Sequence, residues 1–170
     1  MITALDAPPE VLDPAAREFV ETIRQSGWIA THVQAGETSP GFTYTTGLWA
    51  TTGLPEMIVF GLELECAHRA FTTVIDRQQR GELRPGAPVD GLVEGRRAAL
   101  FGTDRCKHAE YMPLTGWFYD HPGFLCEQIV LADEKGAMPW EEGCEPAFQL
   151  LQPDLTVSGW TATPAAAAPA

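Results

Sequence analysis

No stretch of this 170-residue chain reaches the roughly 18 consecutive apolar residues that a membrane-spanning helix needs. The opening MITALDAPPEVLD has no basic region followed by an apolar one, so it does not read as a secretory signal. Cysteine is scarce: Cys66, Cys106, Cys126 and Cys144 are too few for a disulfide framework in a chain of this length. The expectation is a cytoplasmic protein with reduced thiols. Positive charge is scarce too. Eleven Lys and Arg stand against 23 Asp and Glu, giving a formal net charge of -12. Such a chain repels phosphate backbones and anionic membrane surfaces, so neither nucleic acid nor membrane is an expected partner. The nucleophile elbow Gly-x-Ser-x-Gly, the dinucleotide fingerprint Gly-x-Gly-x-x-Gly and the phosphate loop Gly-x-x-x-x-Gly-Lys are all missing. Hydrolases of the elbow type, dinucleotide enzymes and P-loop NTPases are thereby disfavoured.

What is there is the composition of one globular domain, 45% hydrophobic and 20% charged. Asp13-Pro14 offers a cap and a first-turn proline, and Ala16, Phe19, Val20 and Ile23 then share one helical face up to Gly27. WIATHVQA (28–35), FTYTTGLW (42–49) and MIVFGL (57–62) read as strands, the third apolar on both faces like a central strand. Residues 64–80 carry Leu64, Ala67, Phe71, Val74 and Ile75 at helical spacing. LVEGRRAALFGTD reads as one or two strands and FLCEQIVLAD (124–133) as the last. MPLTGWFYDHPG reads as a loop or short helix.

Short turns between neighbouring strands favour antiparallel pairing. The expected fold is α+β: a mostly antiparallel sheet or partly open barrel with two main helices packed against it. Residues 1–160 form a single domain in this reading. The Ala/Pro-rich tail 161–170 cannot build a packed core and is expected to be disordered.

Several segments together resemble a bacterial family catalogued as domain of unknown function 4262. They are Gly27-Trp28, then Tyr44-Thr45-Thr46-Gly47-Leu48, then Pro55-Glu56 leading through Met57-Ile58-Val59-Phe60 to Gly61-Leu62. Phe118-Tyr119 and the turn Asp133-Glu134-Lys135-Gly136-Ala137-Met138-Pro139-Trp140 follow. The resemblance spans roughly residues 16 to 152. It departs from the family pattern where Trp-Pro-Asp is replaced by Leu131-Ala132-Asp133. It implies a bacterial single-domain protein and carries no reaction with it.

Candidate chemistry lies in two segments. On strand 42–49, alternation places Phe42, Tyr44, Thr46 and Leu48 on one face and Thr43, Thr45 and Trp49 on the other. The segment 105–127 is the densest in reactive and aromatic side chains. The favoured expectation is a small-molecule-binding domain of unknown ligand, extending to a small biosynthetic or tailoring enzyme that uses acid–base chemistry in an aromatic pocket. Tyr44, His108, Tyr119 and His121 are the candidate catalytic residues, with Thr46, Trp49, Tyr111 and Trp117 as candidate ligand contacts. Tyr44 and the His121 segment are expected to share one cavity.

No cofactor is specified, although flavin is one conceivable ligand. The first alternative is a non-catalytic interaction or immunity-type protein with an acidic face. A second is a zinc protein using Cys106, His108, His121 and Cys126, although their spacing departs from the usual paired ligands. Glu56, entering the central strand, calls for a partner: a loop amide, or Arg96 or Arg97. His68 reads as a packed histidine, and Trp28 and Trp140 as core anchors.

Overall fold

The computed structural model describes residues 2–37 and 39–160, and the tail 161–170, expected to be disordered, lies outside the described residues. The first helix, α1, runs Pro14–Ser26 between an Asp13 cap and a left-handed Gly27. Strand β1 is Ile29–Val33 and β2 is Phe42–Thr46, followed by a short helix α2, Leu48–Thr52. Strand β3 is Glu56–Phe60 and leads into the long helix α3, Leu64–Gln79. A hairpin follows, β4 at Val89–Val93 and β5 at Arg96–Gly102. Two short helices, α4 His108–Tyr111 and α5 Pro113–Tyr119, precede β6, Cys126–Leu131, and a last short helix α6 is Pro146–Gln149.

The strands form one open sheet in the order β1-β2-β3-β6-β5-β4, not closed into a barrel. Every pair is antiparallel except β3–β6, which is parallel. The expected α+β class with a mostly antiparallel sheet is therefore observed. The connection from β5 through α4 and α5 carries the chain back to insert β6 between β3 and β5, which no short-turn argument anticipates. Among the described residues no helix is long and apolar enough to cross a membrane.

Alternation along β3 divides the core. Met57 and Val59 face α3, where Ala67, Ala70, Phe71 and Val74 pack on them with Leu100, Ile129 and Leu131. Ile58 and Phe60 face the other layer, built from Ile23 of α1, Tyr44 of β2, Met112, Phe118 and Tyr119 around α5, and Phe124. A third cluster sets Ala99, Phe101, Val130 and Ala132 under Met138, with Trp140 and Trp160 packed against it.

One expectation about the opening strand is corrected. The strand stops at Thr46, not at Trp49, because Gly47 takes a left-handed φ of 101° and starts α2. The turn reverses the two faces assigned beyond it. Leu48 joins the α3-side cluster, and Trp49 packs on the side of Tyr44.

Candidate functional site

Three of the segments that carry the family resemblance, around Thr45 to Gly47, Glu56 and Tyr119, converge on a buried carboxylate. The β2–β3 ladder ends at Tyr44 paired with Ile58. Beyond it the Met57 amide donates instead to the Thr45 hydroxyl, at 2.8 Å, and that hydroxyl donates to Glu56 Oε2 at 2.6 Å. Glu56 Oε1 accepts the amides of Gly47 and Trp49, at 2.8 and 3.2 Å, in the first turn of α2. The Tyr119 hydroxyl donates to the same oxygen and accepts the Ala50 amide at 3.1 Å.

Glu56 is fully buried, yet all its partners are neutral donors. Its partner is thus the loop backbone together with two hydroxyls, and neither Arg96 nor Arg97. Arg97 is spent on the Gly136 carbonyl, at 2.9 Å, and on Glu141. Burial pushes the Glu56 carboxyl above its ordinary value, with the hydrogen bonds from Thr45, Tyr119, Trp49 and Gly47 pulling the other way. Burial, and then the Glu56 carboxylate, push the Tyr119 phenol far up, so the phenol keeps its proton and donates it.

A second carboxylate organises the family's turn. Asp133 Oδ1 accepts the Lys135 and Ala137 amides, each at 2.9 Å, and Oδ2 accepts the Glu145 amide at 3.1 Å. These amides, Ala137 first, hold the Asp133 carboxyl below its ordinary value. Leu131 and Ala132, which stand where the family pattern has Trp-Pro, are both fully buried.

The candidate residues distribute as follows. Thr46, Trp49 and Tyr119 come together around this Glu56 knot. Thr46 and Thr115 share a hydroxyl hydrogen bond of 2.7 Å that pins α5 to β2, and Trp49 packs on the Tyr119 ring at 5.5 Å. Tyr44 lies in the adjoining cluster, 2% exposed and stacked with Phe42. Burial pushes its hydroxyl up, partly offset by the Thr31 side chain and the Leu114 backbone. Tyr111 meets Phe42 and Phe60 edge-on, both at 5.6 Å. Trp117 lies on the surface, 45% exposed, with its ring against Phe19.

His108 is buried between the Pro122 carbonyl on Nδ1 and the Thr103 hydroxyl on Nε2, each at 2.8 Å, and it stacks on Phe124. The carbonyl can only accept, so Nδ1 carries the proton; burial lowers the histidine's pKa and keeps it neutral. His121 is exposed on the turn after α5, where its Nδ1 accepts the Gly123 amide at 2.9 Å. Its ring reaches within 6.5 Å of Tyr119. Tyr44 is thus packed core, while His121 stands on the outer turn after α5.

The zinc arrangement does not assemble. Cys106 is exposed, Cys126 is buried 3.6 Å from Met112 Sδ, and both nitrogens of His108 are occupied. Among the described residues no group of three or more His, Cys, Asp or Glu could hold a metal. Burial raises the Cys126 thiol well above its ordinary value, so it stays protonated in the core strand. His68 is exposed, not packed within the core, but its ring stacks on Trp28 at 4.8 Å.

Sequence reasoning did not find the clefts at the carboxyl end of β3. Arg96, the first residue of β5, borders two of them, of about 290 and 270 Å³, and a third cleft of about 380 Å³ between the β4–β5 hairpin and the Asp133 turn. The first lies between α3 and the β4–β5 hairpin and is bordered also by Arg69 and Cys66. Arg69 and Arg96 are 27 positions apart, and neither belongs to the family motifs.

A family described as domain of unknown function (DUF4262) matches residues 22–145, and the chain belongs to that family. No curated protein and no solved structure matches the chain.

Proposed function

We propose that this DUF4262 member is a small-molecule-binding domain whose ligand is an anion seated on Arg96. The observation that carries the reading is the state of that side chain. The described half-buried basic residues are Arg77, Arg96 and Arg97. Arg77 donates to the Asp90 carbonyl at 2.8 Å and pairs with Glu82, and Arg97 is held as described above. Arg96 has neither an ion pair nor a hydrogen bond among the described residues; its guanidinium lies 5.8 Å from the centroid of the Phe148 ring. None of its nitrogens is sealed from solvent, so the planar fork stays open toward the clefts for a carboxylate or similar acceptor. The guanidinium stacks on the Phe148 ring and has no carboxylate in hydrogen-bond or ion-pair contact, although Glu94, Asp133, Glu134 and Glu145 stand on the rims of the clefts it borders; a half-buried cation so placed supports an anion as the ligand.

The location agrees with this. The clefts open where β3 and β6, the one parallel pair, end at their carboxyl termini, a place where open sheets commonly take ligands. The Glu56–Tyr119 pair, by contrast, is sealed in the core. In this reading it fixes α2 and α5 against the sheet and performs no acid–base chemistry on a ligand.

The test is thermal unfolding of the full chain with millimolar inorganic phosphate or acetate, against sodium chloride at equal ionic strength. Stabilisation by either anion in wild type, lost in Arg96→Gln, is expected. Equal shifts in both proteins would remove the basis for the site.

One observation favours the interaction reading as a second possibility. Leu114 and Trp117, one turn apart on α5, are 43% and 45% exposed beside Phe19. Surface aromatics grouped in this way occur at protein interfaces. Recovery of a stoichiometric partner by wild type but not by Trp117→Ala, from the native host, is the outcome that reading requires.

A further inference from the structure

We infer that the ligand class is a small amphipathic monocarboxylate, its head group shared by Arg96 and Arg69 and its hydrocarbon part laid on Leu62, Leu92 and Val93. This rests on the Arg96 reading above and gives it a chemistry.

Size comes first. The cleft that both arginines border holds about 290 Å³, at the low end for ligand sites, so it suits a molecule of few heavy atoms. Its walls are mixed in a directional way. Leu92 and Val93 are 3% and 8% exposed, Ala70 is 1% exposed, and Leu62 is half-buried, so one side is hydrocarbon. The other side carries two guanidinium groups. Arg69 Nη2 donates to the Cys66 thiol at 3.2 Å, a weak acceptor that leaves its remaining N–H groups free for oxygen. Neither Arg69 nor Arg96 has an ion pair among the described residues.

Charge then selects within the anions. Glu94 borders the same cleft, and the chain as a whole is strongly acidic. Two guanidiniums face Glu94 in this cleft, and Asp133, Glu134 and Glu145 line an adjoining cleft that Arg96 also borders, so the local field supports a monoanion at most and disfavours phosphate dianion. A carboxylate also fits the planar fork of arginine. The apolar wall rewards each methylene that leaves water, so affinity should rise along the series from acetate to hexanoate.

Calorimetric titration of the full chain at low ionic strength tests this with acetate, hexanoate, 1-hexanol and inorganic phosphate. The expected result is hexanoate binding about tenfold or more tighter than acetate, phosphate or hexanol, with a similar loss in Arg96→Gln and in Arg69→Gln. If Arg96→Gln fails to fold, Arg96→Lys replaces it. That variant keeps the charge, loses the fork, and should still weaken hexanoate.

Phosphate binding as well as hexanoate, with the loss in Arg96→Gln retained, overturns the amphipathic class and leaves the anion site standing. Hexanol binding as well as hexanoate overturns the role given to the arginines. Hexanoate binding that ignores both substitutions, or no binding by any probe, overturns this proposal and the Arg96 reading together.

Discussion

Glu56 and Tyr119, 63 positions apart in the chain, share a hydrogen bond at the centre of the fold. One side chain opens the central strand and the other closes helix α5. Their contact joins two layers that local sequence does not connect. Tyr119→Phe should therefore destabilise the domain out of proportion to the single oxygen removed. It takes one donor from a buried carboxylate and strips the Ala50 amide of its acceptor, a loss of about 1–3 kcal/mol. Urea unfolding measures it, and a change within error of zero would show that water replaces the phenol.

The titration of Glu56 gives a pH dependence with a definite sign. Its carboxyl is raised in the folded state, so the ionised form is a cost of folding at neutral pH. That cost is relieved as pH falls through the folded pKa toward the ordinary value of 4.5, because the native state then takes up the proton first. Glu56→Gln keeps an acceptor for the three donors on one oxygen and removes the charge. The stability of wild type relative to Glu56→Gln should rise as pH is lowered from 7 to 4.5. The opposite slope would mean that the four donors outweigh desolvation.

Asp133 has the opposite sign. Its carboxyl is held low by backbone amides, so its contribution is present above the ordinary value of 3.8 and is lost as pH falls through the lower folded pKa. Asp133→Asn should be less stable than wild type at neutral pH, since an NH₂ group then confronts an amide donor. The gap should close below pH 3.8. A gap independent of pH would locate the damage in packing.

Gly47→Ala tests the turn that makes the Glu56 knot. A Cβ there would lie 2.5 Å from Ile23 Cγ2 and 3.2 Å from the Gly27 carbonyl, on a backbone already at φ 101°. The strain alone is on the order of 1–3 kcal/mol. The chemical shift of the Trp49 amide should move as well, because its bond to Glu56 depends on this turn. Unchanged stability and an unmoved amide would contradict the geometry.

Phe60→Ala should be among the most damaging single changes, about 3–5 kcal/mol. Phe60 is fully buried, 5.2 Å from the Phe42 ring and 5.6 Å from Tyr111. Equilibrium unfolding with near-native stability would place β3 outside the centre of the sheet.

Much of the fold was readable in the chain itself. Asp13-Pro14 and Gly27 bracket α1 because capping, a first-turn proline and a left-handed glycine are properties of three or four residues in a row. The central position of β3 follows from a run that is apolar on both faces, and the class follows from the order of the elements. The need of Glu56 for partners was readable too, since an ionised carboxylate entering a buried strand is costly unless it is hydrogen-bonded.

What tertiary structure alone decided was which distant groups meet. Pairing β6 in parallel with β3 is set by the path of the connection from β5 through α4 and α5, and local pattern carries no record of that path. The same return brings Tyr119 to Glu56, leaves His121 on an outer turn, and fills both nitrogens of His108 with backbone and hydroxyl partners. Arg69 and Arg96 lie on a helix and a strand whose separation depends on how α3 crosses the sheet. Periodicity can say which way a side chain faces along its own element; whether a cation there finds a carboxylate or an open cleft is fixed only when the elements pack.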